Sequence, residues 1–168
     1  MDLQHPSPSA KPRLDWGQVV PEAREAMLAL ERAAASTGLA PTLLELVKVR
    51  VSQINGCAYC LDMHTKNARA LGESEQRLYA LVAWRETPFF DPRERAALAW
   101  AEAITRIGEG VSDTLYEAVR AHFSERELVG LTAAVVAING WNRWSIGMAL
   151  PAGSYRPDRT PGGASSDR

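Results

Sequence analysis

The sequence predicts an all-α fold, a single-domain bundle of six to seven helices, and three observations carry that prediction. Helix-start residues (Pro, Ser, Asp) and helix-stop glycines alternate along the chain. Between them apolar residues recur at helical spacing, with no convincing alternating strand, strand-pairing turn or internal repeat. A length of 168 residues suits one domain built on one core.

The first helix is expected to begin near Pro21 and to run through EAREAMLALERAAAS to Gly38, where a left-handed stop is easiest. Pro41 opens the second, which carries LLELVKVRVSQI to Asn55 and Gly56. The third carries CAYCLDMHTKNARAL and stops at Gly72. Ser74 caps a fourth through Trp84, and Asp91, Pro92 and Glu94 supply cap, first-turn proline and reciprocal carboxylate for a fifth through about Ile107. Ser112 caps a short sixth helix. Ser124 with Glu127 forms a capping box that opens a long last helix through about Met148. That helix is apolar or small nearly all round from Leu128 to Ile138, so it belongs at the centre of the core or against another subunit. The ends, residues 1–13 and 151–168, are rich in Pro, Ser, Gly and Arg and read as flexible tails around a helical domain over residues 14–150.

Composition narrows the function. Hydrophobic residues make up 46%, charged residues 23%, and the formal net charge is -1, without the basic excess that nucleic acid or anionic membranes would favour. The opening MDLQHPSPSAKPR lacks the pattern of a signal peptide, and the longest apolar run falls short of the ~20 residues of a spanning helix. The expectation is a soluble, cytoplasmic protein. In a reducing compartment, Cys57 and Cys60 are too close in sequence to act as a useful staple and point to redox or metal chemistry.

At ~100° per residue, Cys57, Cys60, Leu61, His64, Ala68 and Leu71 fall on one stripe of the third helix, opposite Asp62, Lys66, Arg69 and Glu73. Both thiols and the imidazole should therefore face inward. His64 stands one turn beyond Cys60, and Cys57 one turn before it, a spacing at which side chains meet. The thiols also open the helix, where unpaired N–H groups and the positive dipole end favour thiolate. A buried Cys or His taken singly is ordinarily a packing residue. Three together gain nothing from packing, and that favours chemistry. Tyr59, Trp84, Trp100, Trp141 and Trp144 read as aromatic core or interface.

The segment ELVKVRVSQINGCAYCLDMHTKNARALG resembles the core motif of the alkylhydroperoxidase D-like branch of the carboxymuconolactone decarboxylase superfamily, with a Glu, then Cys-x-x-Cys, then His. The spacing from Glu45 to Cys57 and the later AINGWNRW are also similar to that family's, over residues 15–150. The resemblance implies an alkylhydroperoxidase D-like helical fold, trimeric or hexameric assembly, and thiol-dependent reduction of organic or hydrogen peroxide without a cofactor. It implies Cys60 as the attacking thiolate, Cys57 as the resolving thiol, and Glu45 with His64 as a proton relay. It also implies an external dithiol reductant, lipoyl-bearing or thioredoxin-like. The residues alone do not reach Glu45, which falls off the apolar stripe of Leu43, Leu44, Val47, Val51 and Ile54 and reads as solvated.

Which thiol reacts first sets two effects against each other. The dipole favours Cys57 by ~0.3 to 1 kcal/mol. A base one turn away favours Cys60 by ~10² to 10⁴ fold in rate, and the base prevails because its effect is the greater. The rivals are a redox sensor and a zinc protein using the CxxCxxxH motif with Glu45 or His122 as a fourth ligand, although ligands strung along one helix surround an ion poorly. A thioredoxin fold is excluded because no strand precedes Cys57, and ring decarboxylation has no need of a thiol pair.

Overall fold

The computed structural model describes residues 11–157. It is all-helical: α1 (Trp16–Val19), α2 (Pro21–Ala35), α3 (Pro41–Asn55), α4 (Ala58–Ala70), α5 (Glu75–Ala80), α6 (Pro92–Thr105), α7 (Asp113–Arg120) and α8 (Glu125–Gly147). Short 3₁₀ segments, Leu81–Glu86 and Ile107–Glu109, follow α5 and α6. The expected six to seven helices are present and α1 is added to them, too short a turn to carry a periodicity. The helix expected from Ser74 to Trp84 holds only as far as Ala80, and Ala83, at φ -117° and ψ 32°, leaves helical geometry inside the 3₁₀ segment.

The caps explain the boundaries. Asp91 and Glu94 bond reciprocally across the start of α6, and Ser124 and Glu127 do the same for α8, satisfying N–H groups that have no partner within the helix. Ser74 and Ser112 cap α5 and α7. The long α8 is central, as its composition requires: it packs on α2, α3 and α6, while α3 also packs on α4. Leu131, Val135 and Ile138 of α8 meet Val47 and Val51 of α3 in one cluster that also takes in Cys57 and Cys60. A second cluster gathers Leu46, Val49, Leu81, Trp84 and Leu98 on the other side of α3. The turn that follows α2 lies so close to α8 that a Cβ on Gly130 would sit 2.0 Å from Thr37 Oγ1, so only glycine fits at that point of α8.

Residues 1–10 and 158–168, most of the two expected tails, lie outside the described residues. The described part of the C-terminal segment runs back along α4. Gly153 N–H donates to Asp62 Oδ2 (3.0 Å), Lys66 Nζ to Tyr155 O (3.0 Å), and Tyr155 Oη to Asn67 Oδ1 (2.8 Å). Among the described residues, no helix is long and apolar enough to cross a membrane.

Candidate active site

Gly56 ends α3 at φ 67°, a left-handed turn that a side chain would strain, and delivers Cys57 to the N-cap of α4. A sulfur thus occupies the position where a hydroxyl or carboxylate ordinarily caps a helix. Cys57 Sγ accepts from the Cys60 backbone N–H at 3.4 Å. Cys60 packs across to α8, where its Sγ lies 3.5 Å from Ser145 Oγ. Both cysteines are free thiols and both are buried. The inward stripe also holds for His64 and Ala68, whereas Leu71 is exposed because it is the C-cap, where helical phase ends.

The electrostatics separate the two thiols. The hydrogen bond from the Cys60 side chain outweighs burial and, helped by the Cys60 N–H and Ser145, brings Cys57 down to about 7. Cys60 goes the other way, pushed up by the same hydrogen bond to Cys57 and by burial, against smaller opposing bonds from Ser145 and Asn142. Thiolate character near neutrality is therefore concentrated at Cys57, at the helix N-terminus. His64 and Cys60, expected to meet one turn apart, share no hydrogen bond. His64 Nδ1 instead meets Glu45 Oε2 at 2.8 Å, and Nε2 is buried with no hydrogen-bond partner.

Glu45 is buried, contrary to what its place on α3 implies, because α4 covers that face of the helix. Burial pushes its carboxyl up, but the hydrogen bond and charge of His64 and the ammonium of Lys48 hold it below the usual carboxylate range. The structure therefore brings Glu45 to His64 and Cys57 to Cys60. His122, weighed as a zinc ligand, is exposed beyond α7 with its carbonyl bonded to Arg93. No group of three or more His, Cys, Asp or Glu among the described residues is placed to hold a metal ion.

A cavity of about 320 Å³ lies against this pair, lined by Cys60, Ser145, Tyr59, Met63, Trp141 and Trp144, among others. Trp16 of α1 stacks on Trp144 with centroids 4.2 Å apart at 10°, closing one wall. Trp84 and Trp100 are core residues as expected, while Trp141, Trp144 and Tyr59 face the cavity. Cys57 does not line it. Three participants escaped the sequence reading. Trp16 sits in a proline-rich opening without periodicity, and Ser145 is one small residue among many on α8. Asn142, which accepts from Asn55 (2.8 Å) and donates to Ser52 (3.1 Å), was visible only as part of AINGWNRW.

The sequence profile of the carboxymuconolactone decarboxylase family matches residues 21–103, which take in α2 to α4 and both cysteines. The chain belongs to that superfamily and is alkylhydroperoxidase D-like. It is 45% identical over 143 residues to the uncharacterized protein YdfG of Bacillus subtilis, covering 84% of this chain and 97% of that one. A solved structure from Agrobacterium tumefaciens is 43% identical, with a TM-score of 0.81, covering 86% of this chain and all (100%) of that one. That protein is of unknown function, and a role as the antioxidant defence protein AhpD has been suggested for it. An uncharacterized peroxidase-related protein from Silicibacter sp. TM1040 shares the fold at TM-score 0.74 and 22% identity, covering 89% of this chain and 96% of that one.

Proposed function

We propose that the protein is a thiol-dependent peroxidase that reduces organic hydroperoxides through a Cys57/Cys60 dithiol–disulfide cycle. The observation that carries this reading is a pair of free cysteines at a helix N-terminus, with Cys57 Sγ accepting from the Cys60 backbone N–H and Cys60 bordering a cavity. Cys60 is assigned the attack because it borders the cavity and Cys57 does not. The resting charge favours Cys57, and transfer of the Cys60 proton to Cys57 makes Cys60 the nucleophile.

The thiol pair gives up one proton, taken by His64 at Nε2 directly or through a bridging water. Cys60 thiolate attacks the distal peroxide oxygen, the O–O bond breaks, and Cys60 becomes a sulfenic acid. The departing alkoxide takes the His64 proton and leaves as alcohol. Cys57 then attacks the sulfenic sulfur, its own proton leaves with the hydroxide as water, and a disulfide forms. An external dithiol, lipoyl-bearing or thioredoxin-like, returns the pair to thiols and is itself oxidised. Glu45 holds the imidazole by Nδ1 and balances its charge while it carries the proton.

Size supports an organic substrate. Water takes ~30 Å³ of liquid volume, so 320 Å³ is roughly ten times the volume of one water, well beyond what hydrogen peroxide needs, and falls in the range of ligand pockets. The near-complete closure of both sulfurs favours one second reading, a redox sensor that forms the disulfide without fast turnover. The deciding experiment titrates thiols before and after one equivalent of an organic hydroperoxide. Joint loss of both thiols, reversed by dithiol, is the expected result; unchanged thiols would remove the reading. Sustained turnover with peroxide and dithiol separates enzyme from sensor.

A further inference from the structure

Beyond Glu45, the charged chain continues outward. Glu45 Oε1 lies 3.3 Å from Lys48 Nζ, one turn along α3. Lys48 Nζ lies 3.6 Å from Glu31 Oε1 of α2. Side-chain exposure rises steadily along the row, from 4% at His64 through 11% and 15% at Glu45 and Lys48 to 27% at Glu31. Glu31 also lines the cavity beside Cys60.

Building on the peroxidase reading, we infer that Lys48, anchored by Glu31, is a positioning residue that fixes the tautomer of His64 by keeping Glu45 ionised. An ionised carboxylate only accepts hydrogen bonds. Facing Nδ1, it forces the ring proton onto that nitrogen and leaves a bare lone pair on Nε2, the atom that has no partner. A protonated Glu45 would donate to Nδ1 instead. The ring proton would then sit on Nε2, and the side chain would have nothing with which to accept the thiol proton.

Beside the His64 hydrogen bond, Lys48 supplies the ammonium that opposes this, 3.3 Å from Glu45 Oε1, since a carboxylate buried without a counter-ion is held only at high cost. Among the described residues, no other lysine or arginine is paired with Glu45. From α2, Arg32 borders the small cavity beside Lys48, but its guanidinium is paired with Glu25 at 2.8 Å. α6 directs its Glu102 to Arg50 rather than to Glu45, α8 lines the small cavity with Ala134, and α4 presents His64 itself.

The test uses the full reduced chain with Lys48→Met, Lys48→Arg and Glu31→Gln. Nitrogen-15 NMR of His64 against pH reads the tautomer, and the rate of alkylation by iodoacetamide against pH reads thiol activation. In Lys48→Met the Nε2–H form should gain population. The acid limb of the alkylation profile should move up by about one pH unit, a roughly tenfold loss of rate at fixed pH on that limb. Lys48→Arg should restore both readouts, and Glu31→Gln, which removes a half-buried anchor and keeps the ammonium, should shift them the same way by less. An unchanged tautomer and limb in Lys48→Met overturns the inference, as does failure of arginine to restore them. Were Lys48→Met not to fold, an unshifted Glu31→Gln would overturn it equally. Neither readout requires peroxide, so absent turnover would sink the peroxidase reading alone, and normal turnover with an unmoved tautomer would sink this inference alone.

Discussion

Helix α3 carries two buried ionic clusters, and they are built to opposite specifications. Toward α6, Glu102 takes Arg50 at 2.6 Å, Trp84 Nε1 at 2.9 Å and Arg85 at 2.5 Å, and the remaining Arg50 nitrogen donates to Gln53 at 3.2 Å. Burial raises the Glu102 carboxyl, but Trp84, Arg85 and Arg50 together hold it below the ordinary range. Toward α4, Glu45 and His64 are as deeply buried, yet the imidazole keeps one nitrogen without a partner and the adjoining thiols make long, weak hydrogen bonds. A saturated network fixes geometry and resists any change of protonation. An unsaturated one stores the capacity to accept a proton, at a cost the rest of the bundle must offset.

The sharpest way to break that contrast is at the thiols. Cys60→Ser should abolish peroxide-dependent oxidation, while Cys57→Ser should react once and stall as a Cys60 sulfenate, trapped by a dimedone-type probe and mapped by mass spectrometry. A sulfenate on Cys57 in the first variant, with none on Cys60 in the second, would reverse the roles and make the resting thiolate the nucleophile.

Next come paired substitutions in the two clusters. His64→Ala should slow thiol oxidation by ~10² to 10⁴ fold with circular dichroism unchanged, because a general base is lost and little packing is. Arg50→Met should do the reverse, lowering stability in denaturant titration by ~3 to 5 kcal/mol while the folded fraction oxidises normally. If both variants lost structure together, His64 would belong to the core and the contrast would fail.

A smaller effect concerns pH. With Cys57 brought down to about 7, alkylation of the reduced protein should rise through half its limiting rate near that pH, against ~8.5 for an ordinary cysteine. The thiolate is the reactive form, so acidification below 7 slows the reaction. A midpoint at the ordinary value would remove the capping argument.

Weakest per molecule is self-association. Val129 and Val136 on α8 are exposed at 68% and 50%, so the helix expected to be buried all round has one open apolar face. Light scattering at micromolar concentration should return an oligomer, trimer or hexamer by family resemblance, and a stable monomer near 18.4 kDa would refute it.

The same two clusters show what the sequence makes legible. The burial of Cys57, Cys60 and His64 follows from 3.6-residue periodicity on a helix with one wet face, and the capping boxes at Asp91 and Ser124 set two helix starts to the residue. Glu45 and Arg50 could not be found that way. α3 is covered by α4, α6 and α8, so it has no single apolar stripe, and a charged residue on it is buried or exposed according to a partner supplied by a distant segment. His64 and Glu102 lie on other helices, and local pattern carries no information about them. The same reason hid Ser145 and Trp16, whose importance comes from what they face.

The stacked pair of Trp16 and Trp144 has an optical consequence. Indoles 4.2 Å apart and nearly parallel couple their excited states, so the circular dichroism of this chain should carry an exciton contribution on top of its helical signal. The coupled pair lines the cavity beside Cys60, whereas Trp84 lies under Arg85 and Arg95, and Trp100 donates to Thr132, each in the core. Trp16, Trp141 and Trp144 should therefore report on the thiols while Trp84 and Trp100 serve as references, so that oxidation of the sulfurs is expected to change the near-ultraviolet signal without any label.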